Sequence, residues 1–587
     1  MDGGLSKRSC VRCNQRKVRC DRKLPCGRCL QSGDECIHPG VKRAPRKLQR
    51  PPIAVIRARL QQLEGEVERL RAGSQPTEKS DSASVQSQAY EEEDTLRGKA
   101  KALRGRLVLQ DESKTRYVGD EASVILADKL QEMCDQSGDE DSVAYAPNAS
   151  TGGLLSPFVE TSSSNSFSGE DADGIDWQQP LRIEMMWSVY KDNVAPLISV
   201  LHKPSVESLV RKASANAEAD LGAECDTLIR AFSFAAIVSM NTGQCVSIFG
   251  EERDVCLLQS RRAVEQSLAR ANLVGTHDIR VLQAAVLFLL CLRCLCDSRL
   301  AWAQAAVVVR VAQRQGIHRD GQRLNLTPFD IEMRRRLWWH ICILDMLCSE
   351  DQGTDLQIRP GMFDTKPPLN IDDDDLTPDL ADLPLPRDGF TDITLCIIQC
   401  EIMTSLARTS KDLTSDGSQI SAQEGQGSLS DLAISLEERY LEKLDLSSPI
   451  QWLIAVVARL TLSRVSLVNR INNTTLENSP NATDDEAFRM AIEILEFATL
   501  LQNDPSTLQW AWLSKSYKQQ HVVALILSEL CVRPISPETD HAWDLVVRMY
   551  DEWQQENPQT NTLLQGPLSL LMERASISRE SKAIGQV

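Results

Sequence analysis

The C-terminal two thirds of the chain alternate between apolar clusters and polar breaks at the period of an α-helix. Leu, Ala and Val recur at three- and four-residue steps over 224–240, 251–271, 278–296, 300–315, 329–348, 392–409, 431–444, 449–471, 485–503, 507–532 and 539–555. Each stripe predicts an amphipathic helix with one buried face. No stretch there alternates residue by residue, as a half-buried strand does. Residues 181–575 are therefore expected to form a large all-α domain in a mostly α protein. The apolar run VLQAAVLFLLCLRCLC (281–296) is interrupted by Gln283 and Arg293. A membrane span needs about 20 apolar residues, so this run reads as a buried core helix and no membrane partner is expected.

A narrower pattern occupies IAVIRARLQQLEGEVERLR (53–71). Its apolar residues, Ile53, Ile56, Leu60, Leu63, Val67 and Leu70, follow a strict 3,4 spacing, the a/d seam of a coiled coil. Arg59 and Glu66 then take g, and Glu64 and Arg71 take e. In a parallel pair, Arg59 meets Glu64 of the other copy and Glu66 meets Arg71, so residues 53–72 predict a parallel homodimer. Before the seam, residues 39–52 hold four prolines and Lys42, Arg43, Arg46, Lys47 and Arg50. This composition predicts a stiff basic linker rather than a helix, and the basic cluster suits nuclear import. After the seam, residues 73–180 turn to Ser, Asp and Glu and read as an unfolded acidic linker, with one short helix expected near 120–134. Phe158, Phe167 and Trp177 stand among its acids, a composition found in both activation segments and spacers.

Charge divides the chain sharply. The net charge over 587 residues is −17, yet residues 1–72 carry 18 Lys/Arg against 7 Asp/Glu. A basic head on an acidic body predicts that the head meets a polyanion. The start, MDGGLSKRSC, has no apolar run of the secretory kind, and the reading is of an intracellular chain. Thiols stay reduced in that compartment, so clustered cysteines point to metal.

The cluster is CVRCNQRKVRCDRKLPCGRCLQSGDEC (10–36). Cys10, Cys13, Cys20, Cys26, Cys29 and Cys36 form two copies of C-x2-C-x6-C. Zinc favours four thiolates in a tetrahedron. Two zincs need eight bonds, and six sulfurs supply eight only if two of them bridge. With RKVRC before the third cysteine and Pro25 before the fourth, the stretch resembles the fungal binuclear zinc-cluster (Zn2Cys6) transcription factors. The resemblance implies two Zn(2+) per chain in a DNA-binding domain at 8–38, with Cys10 and Cys26 as the bridging ligands. It also implies that Lys17, beside Arg16, reads a CGG triplet in the major groove of double-stranded DNA. Arg8, Arg12, Arg19, Arg22, Lys23 and Arg28 would then meet phosphates, which position without specifying.

The stretches WSVYKDNVAPLISVLHKPS (187–205), GIHRD (316–320), PFDIEMRRRLWWHICILD (328–345) and MFDTKPPLNIDDDDL (362–376) resemble the middle homology region of the same family. That region's usual role is regulatory, in some members through a small-molecule effector. His318-Arg319-Asp320 imitates a kinase catalytic loop, but no Gly-rich phosphate loop, strand lysine or DFG accompanies it. Cys291, Cys294 and Cys296 read as core cysteines, Asp372–Asp375 as a solvated loop, and 410–431 as an exposed polar insertion. The expected whole is a nuclear, dimeric transcription factor and not an enzyme, binding paired CGG triplets and working with the transcription machinery. An activator of a specialised-metabolite gene cluster fits the family's habit. A ligand-sensing regulator of primary metabolism or a repressor would use the same DNA-binding domain.

Overall fold

The computed structural model describes residues 9–33, 36–38, 106–111, 114–118, 179–215, 221–295, 298–359, 361–412, 422–476, 485–514, 519–556 and 565–585. Arg8, the linker 39–52, the seam from Ile53 to Leu70, and the helix expected near 120–134 lie outside the described residues. The chain divides into two units, 1–90 and 91–587.

In the first unit two short helices, α1 (Val11–Gln15) and α2 (Gly27–Ser32), pack together. The buried cluster described there consists of Cys10, Cys13, Cys26 and Cys29, with Cys20 and Cys36 packed against it. Val11, Val18, Leu24, Leu30 and Ile37 all face water. Among the described residues of this unit, burial of apolar surface therefore contributes little to stability.

In the second unit an antiparallel hairpin, β1 (Arg106–Asp111) and β2 (Lys114–Val118), pairs Arg106 with Val118. It falls inside the segment that composition predicts to be unfolded. Val108, Thr115, Tyr117 and Val118 favour extended backbone, a local preference that segment-wide polarity hides. The body is helical: α3 (Pro180–Asn193), α4 (Lys203–Ala215), α5 (Ala223–Ser239), α6 (Thr242–Phe249), α7 (Arg253–Arg270), α8 (Ile279–Cys294), α9 (Ser298–Arg314), α10 (Pro328–Gln352), α11 (Thr394–Asp412), α12 (Ala422–Arg439), α13 (Pro449–Leu476), α14 (Asp485–Asn503), α15 (Ala511–Ser514), α16 (Gln520–Val532), α17 (Pro537–Glu556) and α18 (Gln565–Gly585).

Helix α5 packs against α3, α7 and α8, and α8 packs in turn against α9 and α10. Every residue of α8 from Val281 to Arg293 is buried, Cys291 among them, as the run 281–296 predicts. Helix α14 packs on α13 and α16, and α16 on α18. One apolar core runs from Ile183 to Ala575. Two indoles tie its ends: Trp510 Nε1 donates to the Asp192 carbonyl at 3.0 Å and Trp512 Nε1 to the Asn193 carbonyl at 3.2 Å. Helix α13 contains a stretch, Pro449–Ile471, long and apolar enough by length and composition to cross a membrane. It packs on α11, α12 and α14.

Helices α3, α4, α6 and α18 are not among the stretches predicted above. The eight-residue α6 is set by its ends: Asn241 and Gln244 form a reciprocal capping box, and Gly250 closes it at φ 75°. The polar 410–431 stretch is partly helical, since α11 runs to Asp412 and α12 begins at Ala422. The stripe 507–532 is broken into a 3-10 turn from Pro505, then α15 and α16.

The acids at 372–375 depart most from expectation. Asp373 is 3% exposed and pairs with Arg336, which is fully buried on α10. The other side of Arg336 meets Glu332 at 3.4 Å. Asp373 also accepts from the Lys203 amide at 2.8 Å, and its carbonyl accepts from His202 Nε2 at 2.9 Å. Arg387 spans Asp372 and Asp375 at the surface. A run of like charges cannot stay solvated when one member is needed to neutralise a guanidinium in the core. Burial works to raise the Asp373 pKa, but Arg336 brings it below the ordinary value. Asp320 of the kinase-like triplet is equally structural. It holds Arg335 through both oxygens at 2.9 and 3.0 Å and accepts from the Lys366 amide at 3.0 Å.

Arg336→Met leaves two carboxylates buried without their counter-charge, and denaturant unfolding should register a loss of about 3–5 kcal/mol. Arg387→Met, at a half-exposed site, should leave the unfolding midpoint nearly unchanged in the same measurement.

Candidate metal centre and nucleic-acid interface

Each half of the cysteine repeat builds one short helix with a cysteine at its N-cap. Cys10 caps α1 and its Sγ accepts from the Cys13 amide at 3.4 Å. Cys26 caps α2. These two sulfurs lie 3.8 Å apart, Cys10 lies 3.7 Å from Cys29, and Cys13 lies 3.7 Å from Cys26. Zinc with four sulfurs at about 2.3 Å has tetrahedral edges of about 3.8 Å, so the spacing fits that ion. The outer ligands approach across the repeat: Cys20 comes within 4.8 Å of Cys26, and Cys36 within 4.8 Å of Cys10. All six are free thiols.

Backbone amides and neighbouring sulfurs oppose each other here. The Cys13 amide lowers the Cys10 pKa, and the Cys29 amide lowers that of Cys26. Cys13, facing the Cys10 sulfur, is pushed up to about 12, and Cys29 is raised through Cys26. Four adjacent sulfurs cannot all ionise on their own, and a divalent cation removes that conflict. The donor set therefore fits zinc by both distance and charge.

The loop from Cys20 to Cys26 is closed by a residue that the motif does not single out. Asp21 accepts from the Gly27 amide at 2.9 Å, and this contact lowers its pKa. A Cβ on Gly27 would stand 3.1 Å from that carboxylate. After Cys36 the chain returns to α1, where the Val11 amide donates to the Ile37 carbonyl at 2.9 Å. His38 Nε2 lies 3.6 Å from Cys36 Sγ. Asp21 and His38 are visible in the sequence only as polar neighbours of cysteines.

The basic residues surround the sulfurs. Arg16, Lys17, Arg19, Arg22, Lys23 and Arg28 are exposed, and Arg12 is half-buried on α1. Lys17 has an unusual backbone. The Val18 amide donates to the Cys13 carbonyl at 3.0 Å and the Lys17 amide to the Asn14 carbonyl at 3.2 Å, a Schellman ending. Lys17 occupies its left-handed position at φ 52°, where glycine is favoured. Sixteen residues on, at the same place in the second half of the repeat, Gly33 ends α2 at φ 66°. The two halves thus turn out of their helices through a left-handed residue at the same register, and only the first has a side chain there.

The chain thus combines a six-cysteine cluster suited to zinc, ringed by exposed cations, with a large helical body. Residues 8–45 match the fungal Zn(2)-Cys(6) binuclear cluster domain, and 187–423 match the fungal specific transcription factor domain. Both matched domains are those of fungal zinc-cluster transcription factors, which the chain resembles in both parts. The second match extends past 376, where recognisable motifs end in the sequence.

Similar proteins include the aurofusarin cluster transcription factor aurR2 of Gibberella zeae, 27% identical over 92% of this chain and 75% of its own length. Another is the pyriculol/pyriculariol biosynthesis cluster transcription factor 1 of Pyricularia oryzae, 27% identical over 92% and 73%. The transcriptional regulator AacuB of Aspergillus aculeatus is 23% identical over 94% and 79%.

With only sulfur at its centre, the cluster should lose its fold when metal is removed. Chelator treatment of the full chain should speed tryptic cleavage at Arg12, Arg16, Lys17 and Arg28 by about tenfold or more, while sites inside α8–α10 stay protected. Peptide mapping with and without added zinc checks this.

Proposed function

We propose that this chain is a nuclear, zinc-dependent homodimer that binds paired CGG triplets and activates a specialised-metabolite gene cluster. Two Zn(2+) are held per chain, one by Cys10, Cys13, Cys20 and Cys26, the other by Cys26, Cys29, Cys36 and Cys10. The three short sulfur distances all fall on edges of those two tetrahedra, with Cys10 and Cys26 on the shared edge. Metal supplies the folding free energy of the head, about 10–16 kcal/mol per structural zinc.

Lys17 carries the recognition reading. A non-glycine residue in the left-handed region costs about 1–2 kcal/mol, and the other half of the repeat avoids that cost with Gly33. Arg22, also exposed, shares the left-handed region at φ 63°, so strain marks both cations, and the choice of Lys17 as reader rests on its place at the end of α1 and on the family resemblance. From the end of α1 the ammonium group meets guanine O6 and N7 at the floor of the major groove, worth about 1–3 kcal/mol of discrimination. Arg8, Arg12, Arg16, Arg19, Arg22 and Lys23 meet phosphates and set the register. The seam Ile53, Ile56, Leu60, Leu63, Val67 and Leu70 pairs two copies in parallel, so the linker 39–52 sets the half-site separation. The names of the aurofusarin and pyriculol regulators support the gene-cluster reading.

Lys17→Gly separates recognition from folding. The variant should keep two zincs and equal or greater stability, yet lose CGG enrichment when the full chain selects sites from random duplexes. Unchanged enrichment would remove Lys17 as the reader. Leu63→Lys should yield monomers in sedimentation that bind single triplets with no preferred spacing.

A further inference from the structure

The helical body contains a cysteine–histidine cluster that DNA recognition does not use. Helices α10 and α11 pack together and bring Cys396 Sγ to 4.0 Å from His340 Nδ1. Cys400, one turn further along α11, has its Sγ 4.0 Å from that of Cys396. His340 Nδ1 lies 2.7 Å from the Arg336 carbonyl, which only accepts, so this nitrogen carries a hydrogen and the ring is fixed. Cys396 and His340 are 4% and 3% exposed. His340 also lines a cavity of about 30 Å³, whose other walls include Leu290, Arg293, Ile343 and Gln399. That volume admits a molecule the size of water or hydrogen peroxide, and Gln399 lies on α11 between the two cysteines.

We propose that Cys396, with His340 beside it and Cys400 as its resolving partner, is a peroxide-reactive thiol site in the regulatory body. The Cys396 thiolate attacks one oxygen of a small hydroperoxide, forming S–O and breaking O–O. Sulfur is oxidised by two electrons, the peroxide is reduced, and the leaving hydroxide or alkoxide takes a proton from the His340 imidazolium. Cys400 then attacks the sulfenic sulfur, S–S forms, S–O breaks, and the released hydroxide departs as water with the Cys400 proton.

Electrostatics distinguish this thiol from the other buried ones. The Cys400 hydrogen bond, with His340 behind it, holds Cys396 well below the ordinary thiol range against the effect of burial. Burial works to lower the His340 pKa, but the Cys396 sulfur brings it above the usual value. Burial instead raises Cys291, Cys342 and Cys348, the last to about 12. Thiolates, not thiols, are the reactive form.

Oxidation here reaches the charged core. A disulfide needs Cβ atoms about 3.8 Å apart, whereas i,i+4 positions on a helix stand at about 5–6 Å. The first turn of α11 must therefore give way. That turn is tied to Asn370, whose Oδ1 accepts from Thr391 Oγ1 at 2.8 Å and Thr394 Oγ1 at 3.1 Å. Asp392, just before the helix, accepts from the Asp373 amide at 3.1 Å and from Lys203 Nζ at 2.6 Å. Closing the disulfide loosens the segment that covers Arg336.

Both cysteines fall in one tryptic peptide, 388–408. Graded hydrogen peroxide on the zinc-loaded full chain should make this peptide lighter by about 2 Da, at a dose that leaves the Cys291 and Cys342 peptides unmodified. Cys400→Ser should trap a sulfenic acid that dimedone captures, and His340→Gln should slow the reaction by about tenfold or more. The proposal is overturned if peptide 388–408 stays reduced until the chain unfolds, or if Cys291 and Cys342 oxidise at the same dose.

Discussion

Ionised groups withdrawn from water must find an opposite charge nearby, and both units of this protein are organised around that requirement. In the head, four sulfurs lie within 4.8 Å of one another with no aliphatic core beside them among the described residues. In the body, the fully buried guanidinium of Arg336 lies between Glu332 and Asp373. The solutions differ in kind. The head's sulfurs suit a counter-charge taken from solution as a metal ion, as the match to a zinc-cluster domain implies. The body supplies its own from a segment 37 residues away, so its fold is conditional on a loop staying docked.

This difference governs what the residues alone reveal. The cysteine centre is legible because its spacing is local, with every ligand within 27 residues and the repeat visible by eye. Helices α5, α7 to α10, α13, α14 and α17 are legible because their apolar stripes are long. The four acids at 372–375 mislead because their partners, Arg336 and Arg387, are distant in sequence, and a charge run taken alone resembles a solvated face. Helix α6 is too short for a stripe and depends on its caps. The Lys17 ending becomes informative only when set against Gly33, a comparison that the repeat permits and periodicity does not suggest.

The stretches that resemble the family's middle region prove to be one interlocked assembly. GIHRD supplies Asp320 to Arg335, PFDIEMRRRLWWHICILD supplies Arg336 and Trp339, and the 362–376 loop receives them through Asp373 and the Lys366 carbonyl. What reads in sequence as separate signatures is in space a single buried polar joint. Such joints are costly to break on one side and add little when complete, which suits a part that sets conformation more than stability.

The indole donors of Trp510 and Trp512 join residues more than three hundred positions away, at the C-terminal carbonyls of α3. Among the described residues, α3 is the first helix of the body. Its far end is therefore fastened by the last third of the polypeptide, so removing the segment around Trp510 and Trp512 would untie the beginning of the helical body.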